Sequence, residues 1–536
     1  MMAASPSWYR HAVIYQVHPR FFFDSDGDGV GDLRGILARL DHLERLGVDC
    51  LWLMPHYPSP WRDDGYDVTD LTAVHPAYGT LGDFRDLAEA CHARDIRVLI
   101  ELVLNHVSDQ HPWFQSALAG RDRPFRDFFV WSDTGTEYVD ASIIFFDPHE
   151  KTSNWTYHAA TEQYYWHRFY KEQPDLNYDN PEVRQAILDT AMFWLDQGAD
   201  ALRLDAVPYL YVREGTTCES LPETHDFLRA LRRHVTARHP DAVLLCEANQ
   251  PAAMLRDYVR LDECQLGFDF PFNQALFLAL ARGSARPLEE HFADRPSLPE
   301  GSELVAFLRS HDQVLLDTME GTRADDIRRA FAPEPSMLMT DGGIRRRLAP
   351  MLDDDPRRLE LVHALLVALD QPICLYYGDE IAMGEDLARP DRFGLRAPMQ
   401  WSDEPHGGFS VTSRSALPRS VGAAIDDPVY GFRARNVARA RSEPNSLFNR
   451  LVSLLRLRHR DAALRTGTLM LVPQANDALL VFERHGSEHR VIAVFNLSAR
   501  IQPCPLIEGE TITQSQDGSR DGLLPWSWKW VRSGLA

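Results

Sequence analysis

Eight short apolar runs recur along the chain, each followed by a segment whose apolar residues have helical spacing. They are Ala12–Gln16, Cys50–Met54, Val98–Val103, Ala201–Asp205, Ala242–Glu247, Leu266–Phe270, Leu304–Leu308 and Ile373–Tyr376. Runs this short and continuous read as strands buried on both faces, and their alternation with helices implies parallel strands joined by helical crossovers. Eight such strands close a (β/α)8 barrel, although the count alone also fits a doubly wound open sheet. The polar residues favour the barrel. Five runs end in, or lead straight into, a polar cluster: Asn105 and His106; Arg203 and Asp205; Glu247 and Asn249; Ser310, His311 and Asp312; Gly378, Asp379 and Glu380. Barrel enzymes assemble their sites from the C-terminal ends of several strands.

The crossovers are uneven. Roughly a hundred residues separate the third run from the fourth, far more than one helix needs. Residues 105–180, rich in aromatic and polar side chains, read as a subdomain inserted over the barrel mouth, which leaves 1–104 and 181–455 for the barrel itself. Gly384–Pro444, rich in Gly, Pro, Arg and Asp, reads as active-site loops. After an amphipathic helix at about Leu447–His459 the pattern turns to alternation, so 456–536 is expected to be an antiparallel β-sandwich domain.

Composition narrows the function. The chain has 536 residues, 44% of them hydrophobic, and a formal net charge of −22. That charge argues against nucleic acid and against an anionic membrane surface as partners. No stretch approaches the ~20 apolar residues of a spanning helix, and the N-terminus lacks the pattern of a signal peptide. Seven scattered cysteines without a CxxC pair read as buried free thiols, which suits a cytoplasmic location. A homo-oligomer is left open.

Asp205, Glu247 and Asp312 stand at three different strand ends, each beside an Arg, Asn or His. A single such acid would ordinarily cap a helix or pair with an arginine; three together point to chemistry. Cleaving a glycosidic bond with retention needs one carboxylate to attack the sugar and a protonated second to release the leaving oxygen. Phosphate-loop chemistry is not signalled, since no GxxxxGK[ST] occurs.

The short segments LVLNH (Leu102–His106), QPDLN (Gln173–Asn177), RLDAV (Arg203–Val207), LLCEAN (Leu244–Asn249) and RSHD (Arg309–Asp312) occur in that order. With them the chain resembles glycoside hydrolase family 13, the α-amylase family, over essentially its whole length. The resemblance implies Asp205 as nucleophile, Glu247 as general acid/base and Asp312 as transition-state stabiliser. Arg203 would keep Asp205 ionised, and His106 and His311 would bind hydroxyls of the transferred glucose. In WRDDGYDVTD, Tyr66 matches the aromatic that stacks under that glucose. Asp63 matches an acid that pairs with Arg396 to grip its far end and close the pocket.

The segment DSDGDGVGD places Asp24, Asp26 and Asp28 at alternate positions, then Gly29 for a sharp turn, the Val30 carbonyl and Asp32. This spacing reproduces the first nine positions of an EF-hand loop, but Gly35 stands at the twelfth, so no EF-hand forms. The family resemblance implies a structural Ca²⁺ there instead, and no organic cofactor.

Within the family, QPDLN marks the branch acting on oligosaccharides, and Ala206 matches members that prefer α-1,4 links. YDVTD, SNWTYH, REGTTCESLPETH, GIRRRLAP and YYGDEIAMG resemble the isomerases that interconvert maltose and trehalose. The implied substrates are small α-linked glucosides. The alternatives are an α-glucosidase or glucosyltransferase on maltose, trehalose or sucrose, and a non-catalytic binding subunit, which would be expected to lack the acids. Four positions depart from the pattern: Glu101 replaces Asp, Ser310 replaces Asn, and Gln313 and Phe393, both expected near the pocket entrance, replace Glu and Asp.

Overall fold

The computed structural model describes residues 8–145, 151–413, 416–515 and 522–534. Part of the N-terminal stretch, part of the insertion (146–150) and two positions of the expected loop region (414–415) therefore lie outside the described residues. In chain order the first strands are β1 (Val13–Val17), β2 (Cys50–Leu53) and β3 (Arg97–Leu102). Three strands of the insertion follow: β4 (Trp131–Ser132), β5 (Trp155–His158) and β6 (Gln163–Trp166). Next come β7 (Ala201–Leu204), β8 (Val243–Cys246), β9 (Leu266–Phe268), β10 (Glu303–Phe307) and β11 (Ile373–Tyr376). The last five are β12 (Thr468–Leu471), β13 (Leu479–His485), β14 (His489–Asn496), β15 (Glu510–Gln514) and β16 (Trp528–Gly534).

β1, β2, β3 and β7 to β11 close a parallel barrel, and β11 returns to β1 with Val13 opposite Ile373. This is the (β/α)8 barrel that the eight apolar runs imply. The runs are continuous because both strand faces are buried. Ile14, Trp52, Leu99, Ala201, Leu245 and Phe307 belong to one cluster filling the barrel, while Val13, Leu51, Ile100, Leu202 and Leu244 pack in the larger core. Six of the expected runs end one or two residues early, among them β7, which stops at Leu204, and β8, which stops at Cys246. Asp205 and Glu247 thus sit just past their strands, where the chain turns; Ala206 is left-handed at φ 52°.

The insertion carries a small antiparallel sheet, ordered β4-β6-β5, and the helix Pro112–Leu118. The helix Leu447–Arg460 runs through the expected domain boundary at 455–456, and the C-terminal sheet begins only at Thr468. That sheet, ordered β12-β13-β14-β16-β15, is single among the described residues, which corrects the expectation of a sandwich. One face (Phe482, Val491, Ala493, Trp530) joins the main core; the other (Leu479, Val481, Ile492, Val494) is covered by Val472, Cys504, Ile507 and Leu523, none of them in a strand. Apolar residues on both faces of a strand require two covered faces, not two sheets. Arg484 pins the sheet, and Arg458 the helix Leu447–Arg460, to the barrel by donating to the carbonyls of Val367, Ala368, Leu369 and Gln371 at 2.5–2.8 Å, the cationic capping that a helix C-terminus favours. No helix of the described residues is long and apolar enough to cross a membrane.

Candidate active site

Side chains alternate across a strand, so positions two residues beyond a barrel-filling residue also face the axis. From Leu99 this leads to Glu101, from Ala201 to Arg203 and Asp205, and from Leu245 to Glu247. The four meet. The buried Arg203 donates from Nη1 to Glu101 Oε2 at 2.8 Å and to Asp205 Oδ1, and its Nη2 lies 2.5 Å from Glu247 Oε1. Glu101 also accepts from Trp52 Nε1 at 3.0 Å and from the Tyr66 hydroxyl at 3.1 Å.

Burial pushes Glu101 up to about 8 and Glu247 up to about 7; Arg203 pulls both down, and the carboxylates around them push both up. Burial also raises Asp205, with Arg203 opposing. Three carboxyls on one guanidinium retain a proton near neutrality. Although burial gives Glu101 the higher value, its three hydrogen-bond donors favour its anion. Glu247 Oε2 has only the Ala206 amide at 3.2 Å, and 24% of the side chain opens to the cleft. The shared proton therefore falls to Glu247.

Asp312 completes the acid set from the far side. It accepts from Arg392 Nη1 at 2.8 Å and Arg396 Nη2 at 3.0 Å, and its Oδ2 lies 2.9 Å from His311 Nε2. Against burial, these three groups hold it well below the usual carboxylate range. Burial lowers His311 to about 3 and His106 to about 4, so both are neutral imidazoles at pH 7. His311 packs its ring on Tyr66 at 5.6 Å and lies 2.7 Å from the Tyr66 hydroxyl. His106 Nε2 has no hydrogen-bond partner among the described residues.

The expected Asp63–Arg396 pair does not form. Asp63 accepts from Arg392 Nη2 at 2.7 Å and Gln173 Nε2 at 2.9 Å, whereas Arg396 donates to Asp64 at 2.8 Å and to the His311 carbonyl at 3.1 Å. Arg392 is the second residue of the short 3₁₀ turn Asp391–Leu395 at the cleft wall, and Arg396 follows the turn fully buried behind Asp312. Arg392 thus bridges Asp63 to Asp312, a role the sequence reading missed although Phe393 beside it drew notice. Gln313 lines the cleft, with its Nε2 3.2 Å from Asp341. Phe393 does not line it, and its ring lies 5.9 Å from the Arg396 guanidinium.

Asp63, Tyr66, His106, Asp205, Glu247, Asp312 and Arg392 line a cleft of about 390 Å³, walled on one side by Ser142, Phe145 and Phe169 of the insertion, a size usual for a small-molecule site. A larger groove of about 620 Å³ beside Arg39, Trp401 and Arg441 holds none of the three acids.

Asp24, Asp26 and Asp28 gather with their oxygens within 4.8 Å of one another, a donor set suited to a hard cation. Asp32 does not join them. It caps the helix Leu33–Ala38, accepting from the Gly35 amide at 2.6 Å and from Ser25. Val30 is buried, with its amide on Asp28 at 2.7 Å.

A parallel barrel whose mouth gathers three acids, two of them on one arginine, defines a glycoside-processing enzyme. The Alpha amylase, catalytic domain family matches residues 16–342, more than half of the chain. The protein belongs to that family, glycoside hydrolase family 13. It is 45% identical over 515 residues to the trehalose synthase/amylase TreS of Mycobacterium tuberculosis (strain CDC 1551 / Oshkosh), covering 94% of this chain and 84% of the other. It is 42% identical over 520 residues to the trehalose synthase of Pimelobacter sp. (strain R48), covering 94% and 90%. Among solved structures, a mutant isomaltulose synthase of Erwinia rhapontici NX5 in complex with D-glucose matches with a TM-score of 0.81 at 25% identity, covering 99% of this chain and all of that one.

Proposed function

We propose that the enzyme isomerises maltose to trehalose by moving one glucosyl group within a single binding event. The observation that carries the double displacement is the division of Arg203 between Asp205 and Glu247. The non-reducing glucose rests on Tyr66, with its far hydroxyls on Asp63 and Arg392 and the others on His106, His311 and Asp312. Asp205 attacks the anomeric carbon while Glu247 gives its proton to the departing oxygen; Asp312 stabilises the positive charge that develops. The released glucose turns and presents its anomeric hydroxyl. Glu247 takes that proton, the oxygen displaces Asp205, and two inversions restore the α configuration.

Likeness to named trehalose synthases favours isomerisation over simple hydrolysis. Gln313 alters the cleft's polar wall, so some free glucose is expected as a side product. The reading includes a structural Ca²⁺ on Asp24, Asp26 and Asp28. It also places the enzyme in the cytoplasm, in keeping with seven free cysteines, six of them buried.

The test is to trap the intermediate with a 2-deoxy-2-fluoro α-glucosyl donor and sequence the labelled peptide by mass spectrometry. The label is expected on Asp205 and absent from Asp205→Asn; a label elsewhere, or an active Asp205→Asn, refutes the assignment.

A further inference from the structure

The grip described above serves only the transferred glucose, yet isomerisation requires the second glucose to be held while the first is bonded to Asp205. A candidate hold comes from the segment REGTTCESLPETH, which the proposed chemistry leaves unused. Its Glu219 lies between the 3₁₀ turn Val207–Tyr209 and the helix Pro222–Arg238, and lines the cleft with 24% of its side chain exposed. Glu219 Oε1 accepts from the Ser142 hydroxyl at 2.8 Å and from the fully buried Arg168. Both donors belong to the insertion. Arg168 is itself fixed: it donates to the Thr217 carbonyl at 3.2 Å, and its guanidinium lies 4.9 Å from the Tyr209 ring. Glu219 Oε2 has no hydrogen-bond partner among the described residues, and it is not among the sealed-off atoms.

One oxygen pinned by a buried cation and the other open to the cleft make an oriented, charged acceptor for a hydroxyl. Its place in the cleft matters. Arg168, which holds Glu219, stacks its guanidinium on Tyr209, in the turn that follows Asp205 and Ala206, and Tyr209, Glu219, Glu247 and Asp317 all line the cleft. Glu219 shares the cleft lining with Glu247 and makes none of the contacts of the Asp63–Arg392 grip, which leaves it free to serve the second sugar. Asp63 and Arg392 hold the first sugar through a separate set of contacts.

We propose that Glu219 is a specificity-determining residue whose Oε2 accepts a hydroxyl of the second glucose, a proposal that rests on the disaccharide reading above. Glu219→Gln keeps the shape and weakens the acceptor. Removing the side chain would strand the buried Arg168 charge and endanger the fold of the insertion, so Ser142→Ala, which perturbs Oε1 alone, is the second variant. The experiment compares kcat/KM on maltose with kcat/KM on p-nitrophenyl α-D-glucoside, whose leaving group is not a sugar, for wild type and both variants. Glu219→Gln is expected to lose about tenfold on maltose, the scale of one hydrogen bond to a charged group, and several times less on the aryl glucoside. Ser142→Ala is expected to show a smaller difference between the two substrates. Equal losses on both substrates in Glu219→Gln would reduce Glu219 to a structural tie and overturn the proposal. Whether wild type makes trehalose at all is read separately from its maltose products, so failure of the isomerase reading is not confused with failure of this one.

Discussion

At the scale of single residues, the cluster on Arg203 makes a pH prediction. Glu247 works as the acid only while protonated, and burial has pushed it up to about 7. A carboxyl with a raised pKa supplies its proton below that value and loses it above. The rate on maltose should therefore fall as pH rises through about 7, while the rate on an aryl glucoside, which needs little protonation, should fall less. Glu247→Gln should abolish the alkaline limb on the aryl substrate; a limb that persists near 7 would assign it to another group. Asp205, Glu247 and Asp312 were legible because acids at strand ends stand out from apolar runs. The Asp63–Arg392 contact was not, because it joins residues 329 positions apart. Arg392 and Arg396 lie four apart on one loop, and only the turn between them decides which faces the pocket.

At the scale of elements, the barrel strands were legible from apolar continuity, and their order around the barrel followed from chain order. Other elements were less so. An aspartate after a turn suits a cation and a helix N-terminus equally well, and Asp32 serves the helix Leu33–Ala38. Of the three remaining carboxylates, Asp24 ties the loop after β1 to the long loop after β11, since Ser410 Oγ donates to it. An ion bound there stabilises the folded state by mass action. Exhaustive chelation is accordingly expected to lower Tm by several degrees and to affect the rate at low temperature much less, with Ca²⁺ restoring the loss. An unchanged Tm, with no metal found by elemental analysis, would remove calcium from the account.

At the scale of the whole molecule, the reading depends on parts that the barrel alone does not supply. The insertion contributes Phe145, Phe169 and Ser142 to the cleft, and the loop after β11 contributes Arg392. The Tyr170 hydroxyl bonds Asp391, and the Phe145 ring lies 4.9 Å from the Arg392 guanidinium, so the insertion and that loop meet over the glucose grip. Water kept from the glucosyl-enzyme leaves the released glucose as the nearest nucleophile. The existence of this cover was legible from its length and aromatic content; its contacts were not, because they join segments far apart in the chain. The most direct test is to incubate the enzyme with maltose in the presence of ¹³C-labelled free glucose and identify the products. The account predicts trehalose as the main product, carrying little label, with a minor amount of free glucose. Maltose giving only glucose, or label entering most of the trehalose, would contradict it.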